Sequence, residues 1–403
     1  MPQTLNRREL LRLSAAASAT ALSSSRAMGA NDRIRAGMIG LGKRALKLQT
    51  FLAARNDIDI VAICDVWDRR TQEFQPKAPA ARAYRDHRKL LESSDIDAVF
   101  IATPDHWHAP MAIDAANAGK DIYVEKPLTL KMAEGPAVVR AVRLNERICQ
   151  VGAQQRSGSH YVEACERYLK SGKLGKIPMV RTWWHDNGNS SIVGGHAVPP
   201  GMANKPDDLD WNRFLGSVAW RDWDPKQYFN FRAYLDFGGG KITDDFVHLI
   251  DTVHHFMGQD NPIAASALGG VYSLLDGRTA PDTISGALQY PGQYVVTFEN
   301  ANVPSPGEPG VEFMGTEGRL LITREDYSYF LPEKSAPASV VVKAPRDQAI
   351  DHIDNFLACC RSRKQPNGDV HIGHRSAQAA HLLTLSYVQQ RRIRFDPDTE
   401  QVL

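Results

Sequence analysis

Cysteine is scarce: five residues in 403, at 64, 149, 165, 359 and 360, with no CxxC spacing. That excludes a disulfide framework and gives no sign of a zinc site. Beyond residue 30 no run of 18 apolar residues occurs, so no stable membrane span is expected and the mature chain reads as soluble. Charge of one sign is not concentrated anywhere outside the N-terminus. The 48 Lys and Arg against 46 Asp and Glu leave a formal charge of +2, so no nucleic-acid partner is expected. Internal repeats and low-complexity linkers are also missing. What remains is 43% apolar and 23% charged, an ordinary globular composition. At roughly 100–200 residues per domain the length predicts two or three domains.

The first thirty residues differ from the rest. Asn6-Arg7-Arg8-Glu9-Leu10-Leu11-Arg12 precedes an Ala/Ser/Leu run from Leu13 to Leu22, and no acidic residue follows Glu9 until Asp32. A basic head, a short apolar stretch and small residues near Ala27 to Ala30 read as a cleavable signal over 1–30. The paired arginines resemble a twin-arginine signal, which predicts a periplasmic or secreted protein.

From Ile34 the pattern alternates strand and helix: IRAGMI, a glycine turn, ALKLQTFLAAR at helical spacing, then IDIVAICDV. Further strand runs at 98–103, 121–126 and 147–152 are separated by helical segments at 108–118 and 131–145. This predicts a Rossmann-type, doubly wound parallel domain over 33–152, binding its ligand at the carboxyl ends of the strands. The turn Gly40-Leu41-Gly42-Lys43-Arg44-Ala45 is a GxGxxA phosphate fingerprint. Gly40 permits the tight turn, Gly42 lets the backbone approach a pyrophosphate, and Ala45 allows close helix packing. Asp65 ends the second strand, where its carboxylate can accept from a ribose 2′-hydroxyl and would repel a 2′-phosphate. NAD is therefore the expected cofactor, and Arg69 and Arg70 leave NADP open.

Two later strands end in Thr103-Pro104-Asp105-His106-Trp107-His108 and Glu125-Lys126-Pro127. With the glycine turn and a later Gly238-Gly239-Gly240 followed by DxxxH, the sequence resembles the Gfo/Idh/MocA oxidoreductase family over essentially all of the mature chain. The resemblance implies a Rossmann domain followed by an α/β domain on a large open, mainly antiparallel sheet, with the active site between them. It also implies that Lys126 sits near the nicotinamide and the reacting hydroxyl, where a cation stabilises developing negative charge on oxygen. Glu125 can accept from the cofactor ribose, and Thr103, Pro104, His106 and His108 fall on the cofactor side of the cleft.

Residues 153–403 read as the substrate and oligomerisation domain. Strand-like runs at 177–184, 264–275, 283–290, 294–300 and 319–325 follow a helix at 159–171. Helices near 346–362 and 373–390 close the chain and are free to pack on the first domain. Asp244 and His248 are four apart on one helical face. Asp245 makes the alignment ambiguous by one residue, and the DxxxH spacing selects Asp244. The resemblance places this pair at the nicotinamide, with His248 as general base and Asp244 as its orienter and a substrate partner. Gln154, Gln155 and Arg156 can reach the nicotinamide or substrate, and His185 is a further candidate for substrate contact. No metal site is expected, because His185, Asp186, His196, His248, His254 and His255 match no ligand spacing.

The expected function is transfer of hydride from a secondary hydroxyl of a carbohydrate or cyclitol to a tightly bound nicotinamide. The alternative is a glycosidase or lyase that oxidises the sugar transiently, and a third reading is a sugar-binding protein without catalysis. An open sheet face predicts a homo-oligomer.

Overall fold

The structure, a computed structural model, describes residues 33–185, 198–304, 307–333 and 337–403. The expected signal with Arg7 and Arg8 lies outside the described residues, as do Asp186 and His196. Six parallel strands form the first sheet: β1 (Ile34–Ile39), β2 (Ile58–Cys64), β3 (Arg82–Tyr84), β4 (Ala98–Ile101), β5 (Asp121–Val124) and β6 (Cys149–Val151). Their order is 3-2-1-4-5-6, the doubly wound arrangement that the alternating pattern predicts. Helices cover both faces, which is why β4 and β5 are buried along their whole length. The helix Lys43–Ala53 turns Ala45, Leu48, Gln49 and Leu52 toward the sheet, the i, i+3, i+4, i+7 spacing of one face. Between β1 and β4 the chain order reverses. There Gly40 donates to the Cys64 carbonyl and Ala102 to that of Ile39, at 2.9 and 2.8 Å, opening a crevice above both strand ends.

The second sheet holds, among the described residues, ten strands: β7 (Met179–Trp183), β8 (Ala264–Gly270), β9 (Thr283–Tyr290), β10 (Tyr294–Ala301), β11 (Gly310–Gly315), β12 (Gly318–Thr323), β13 (Asp326–Phe330), β14 (Val340–Lys343), β15 (Ile393–Asp396) and β16 (Gln401–Val402). They lie in the order 14-13-12-11-7-10-9-8-15-16. Only the β7–β10 pair is parallel, so the sheet is mainly antiparallel, as expected. The strands β11 and β13 to β16, like the three-residue β3, are additions to the sequence reading. One face packs on the helices Val247–Met257 and Val370–Gln389, burying Leu249, Val253, Leu382 and Leu383 against Phe298, Phe313 and Ile322. Each such side chain contributes about 1.5–3 kcal/mol of burial. Leu268 and Val295 point out of the opposite face and are exposed.

The helix Gln348–Ser362 crosses back to the first domain, where Ile353, Phe356 and Leu357 join Met38 and Phe100 in one core. Among the described residues no helix is long and apolar enough to cross a membrane. All five cysteines are free thiols.

Candidate active site

A cavity of about 1170 Å³ runs from the glycine turn to the helix Val247–Met257, between the two sheets. Sites for drug-sized ligands measure roughly 300–1,000 Å³, so this one has room for a dinucleotide and a second small molecule. Gly40, Leu41, Gly42, Lys43, Arg44, Asp65, Thr103, Pro104, His108, Glu125, Lys126, Gln154, Asp244 and His248 all line it.

At the phosphate end, Gly40 has φ +80° and a Cβ there would lie 2.9 Å from the Ala102 carbonyl, so the turn requires glycine. A Cβ on Gly42 would meet nothing within 4 Å, which leaves its backbone open to the cavity. The helix that follows has no side-chain cap and no acid in its first turn. Its free N–H groups, with Lys43 and Arg44, suit a pyrophosphate. Asp65 accepts from the backbone N–H of Leu41 at 2.8 Å and of Trp67 at 2.9 Å. Burial raises its pKa and these N–H groups oppose the shift. A carboxylate has about four acceptor sites, so two bonds to the turn leave capacity for a ribose diol. Glu125 is taken by Arg44, whose Nε lies 2.6 Å from its Oε1, and it thereby clamps the helix start to the β5 end. His108 contacts the carbonyls of Pro127 and Thr103 at 2.7 and 3.0 Å, tying the two strand-end segments together.

At the other end, Lys126 Nζ donates to both the carboxylate and the carbonyl of Asp244, each at 2.5 Å. Arg232 Nε reaches the same carboxylate oxygen at 2.9 Å. Burial acts to raise the Asp244 carboxyl, but Arg232 and Lys126 hold it below the usual carboxylate range. Asp245, its neighbour, pairs instead with Lys241 at 2.7 Å; burial, reinforced by repulsion from Asp244, pushes it up to about 6. Both aspartates stand on a π-helical turn, Ile242–Phe246, the kind of local widening that recurs at functional sites.

His248 is buried and its Nδ1 has no hydrogen-bond partner among the described residues. Asp244 does not orient it as the DxxxH spacing suggests, because the carboxylate is committed to Lys126 and Arg232. The ring lies instead against Trp184, 6.2 Å between centroids and 23° from parallel, and the Arg324 guanidinium packs over that indole at 4.7 Å. Burial, Lys126 and Arg324 lower the His248 pKa well below the ordinary value, so the ring is neutral near pH 7 and able to accept a proton.

Three expected contacts lie elsewhere. His106 turns away from the cavity, bonding the Phe214 carbonyl at 2.8 Å and packing on Phe214 and Phe237. His185 is one residue beyond Trp184 and lines a separate cavity of about 340 Å³ with Arg181, Trp183 and Glu299. Arg156 is locked in a buried pair with Asp251, 3.1 Å from Nε to Oδ2, joining the β6 exit to the helix that carries His248. Arg156→Ala should therefore cost about 3–5 kcal/mol of stability by stranding the Asp251 charge. Urea unfolding at pH 7 checks this, and an unchanged midpoint would show that the pair contributes little to holding the β6 exit against that helix. Arg232 and Arg324 carry no sequence signal that marks them for the site, since each reaches it from a different segment. Among the described residues no group of three or more His, Cys, Asp or Glu side chains is placed to hold a metal ion.

Residues 34–153 match the Gfo/Idh/MocA "Oxidoreductase family, NAD-binding Rossmann fold", and residues 215–393 match the same family's "C-terminal alpha/beta domain". The first domain is thus an NAD-binding one. The chain is 27% identical over 221 residues to an alpha-N-acetylgalactosaminidase of Shewanella oneidensis, 46% of this chain and 48% of that protein. It is 31% identical over 169 residues to an inositol 2-dehydrogenase of Salmonella typhimurium, 41% of this chain and 49% of that protein. The chain spans about half the length of the curated relatives it matches. The crystal structure of the WlbA dehydrogenase from Bordetella pertussis, in complex with NADH and UDP-GlcNAcA, superposes with a TM-score of 0.68 at 18% identity, covering 90% of this chain and 99% of that one. That likeness is one of fold.

Proposed function

This chain belongs to the Gfo/Idh/MocA oxidoreductase family, and from that premise we propose that it is an NAD-dependent oxidoreductase acting on a secondary hydroxyl of a carbohydrate or cyclitol. The observation that carries the proposal is a single cavity holding the open glycine turn, the Lys126 ammonium and a neutral His248 ring. NAD, when bound, supplies a carbon that accepts hydride. Lys126, fixed by Asp244, holds positive charge where the hydroxyl oxygen gains negative charge as its proton and the hydride leave. His248 takes that proton on its imidazole ring. Arg232 keeps Asp244 ionised, and so keeps Lys126 in place. Trp184 packs against the His248 ring and lines the cavity beside it. The 31% identity to an inositol 2-dehydrogenase supports this substrate class.

The second reading, redox-assisted glycoside cleavage, is favoured by the glycosidase relative. The same Lys126 and His248 serve it, because a new carbonyl acidifies the neighbouring carbon and permits elimination of the aglycone. Incubation of the purified protein with an aryl glycoside in deuterated water, without added acceptor, separates the two. A dehydrogenase stops after about one cofactor equivalent. Many turnovers with deuterium at the neighbouring carbon would establish cleavage instead.

Export is also proposed, from Arg7-Arg8 and the apolar run after them. Changing both arginines to lysine should leave the protein in the cytoplasm, and undiminished delivery to the periplasm would refute a twin-arginine route. The exposed Leu268 and Val295 on the open sheet face support self-association, which sedimentation velocity tests.

A further inference from the structure

The end of the cavity farthest from His248 is walled by both domains. Asp65, Val66 and Arg70 come from the β2 end, while Arg213, Tyr228 and Phe229 come from a segment more than a hundred residues later. By the strand-end rule the β2 side takes the adenosine half of a dinucleotide. Farther along, the later segment is held by His106 and Trp107 on the Phe214 carbonyl and by the Arg213–Asp86 pair at 2.6 Å; at the β2 end it is fastened through Asp208. The Asp208 carboxylate accepts from Trp67 Nε1 at 2.9 Å and from the Arg69 backbone N–H at 3.0 Å. Its carbonyl accepts from the Asp68 N–H at 3.2 Å and from Arg85 at 2.6 Å. Beside it Asp210 donates its N–H to the Val66 carbonyl at 2.9 Å, and Tyr228 meets the Trp67 ring edge-on at 5.5 Å. Behind this seam Trp211, Phe214 and Phe237 form a small core of their own. The segment therefore moves as a unit or not at all. Asp208 itself does not line the cavity, and neither does Trp67.

We propose that Asp208–Phe237 is a clasp over the adenosine end of the nucleotide site, with Asp208 as its catch, and that NAD enters and leaves only when the clasp lifts. The inference rests on the NAD-dependent reading above and adds to it: the cofactor is a resident group rather than a freely exchanging co-substrate. Lifting the clasp breaks the bonds to Asp208, those of His106 and Trp107 to the Phe214 carbonyl and the Arg232–Asp244 pair, and exposes Leu209 and Trp211, both buried at present. Because the catch joins protein to protein without touching the cavity, it gates entry and exit alike.

That property gives a test distinct from activity. Association and release of NAD are followed on the whole protein by stopped-flow fluorescence and by exchange against isotope-labelled NAD with mass spectrometry. Asp208→Ala removes a charged acceptor and should accelerate both rates by at least about tenfold, leaving Kd within about threefold. Trp67→Phe keeps the aromatic packing, loses one donor, and should accelerate both by about threefold or more. It carries the comparison should the Asp208 variant fail to fold by circular dichroism. Unchanged rates in a folded variant would overturn the clasp, and so would faster release with unchanged association, which marks a distorted binding surface rather than a gate. If the original protein binds no NAD at all, the proposed function falls and takes the clasp with it.

Discussion

Lys126→Ala should lower the rate of hydride transfer by about 10²–10³-fold while leaving nucleotide bound, because the ammonium acts on charge that exists only as the hydroxyl is oxidised. Its position depends on Asp244, which it meets at 2.5 Å, and Asp244 remains ionised through Arg232. The binding residues at the glycine turn are untouched. His248→Ala should cost about 10²–10⁴-fold by removing the proton acceptor. A pH profile ties the two residues together. Burial first and then Lys126 depress the His248 pKa well below its ordinary value, so in the original protein the activity should hold steady as pH falls from 7 past 6.5. Removing the lysine cation raises the His248 pKa, and the residual activity of the Lys126 variant should then decline at a higher pH. A profile that does not move would mean that His248 is not the base.

Stability should fall steeply as pH drops from 6.5 toward 4. Burial lowers His106, His254, His255, His352 and His381 to about 4. The unfolded chain takes up protons at these rings near pH 6.5, and the folded chain does not until about 4. Between those values the unfolded state binds more protons, so stability rises with pH and is lost on acidification. At pH 5 five such rings alone give a slope of about 6 kcal/mol per pH unit. Asp245, raised to about 6, acts in the opposite sense, as do Asp65 and Asp105, whose burial also favours the protonated carboxyl. The net expectation is a few kcal/mol per pH unit, read as a fall in urea midpoint between pH 7 and pH 5. Equal midpoints would show that the buried rings are protonated in the fold.

The parts of this molecule that read directly from sequence are those coded over short distances. A strand, a glycine turn and a helix occupy twenty consecutive residues from Ile34 to Ala53, and their periodicity and punctuation suffice. Lys126 and Asp244 are 118 residues apart, and only the resemblance to a family brought them together. Where neither local code nor resemblance applied, proximity along the chain misled. Arg156 follows a strand end that faces the cleft, yet its guanidinium finds Asp251, 95 residues away, and is buried there. Trp184 and His185 are adjacent just past the end of β7, and the indole lines the large cavity while the imidazole lines the smaller one. Arg232 sits only 12 residues before Asp244, but the turn that folds it back is not a helix or strand and carries no periodic signal. Asp208 lies 141 residues from Trp67, and nothing in either segment announces the other.

The central claim is that a resident nicotinamide oxidises a carbinol carbon beside Lys126 and His248. It is tested most directly by mixing the NAD-loaded protein with a panel of sugars and cyclitols, no acceptor added, and following absorbance at 340 nm (the nicotinamide reduction band). The account predicts a single rise of about one reduced nicotinamide per chain with a substrate among them, slowed severalfold when that substrate carries deuterium at the oxidised carbon and abolished in Lys126→Ala. A protein that binds NAD and reduces none of it with any of these compounds, or one whose rise is the same in Lys126→Ala, would contradict the account.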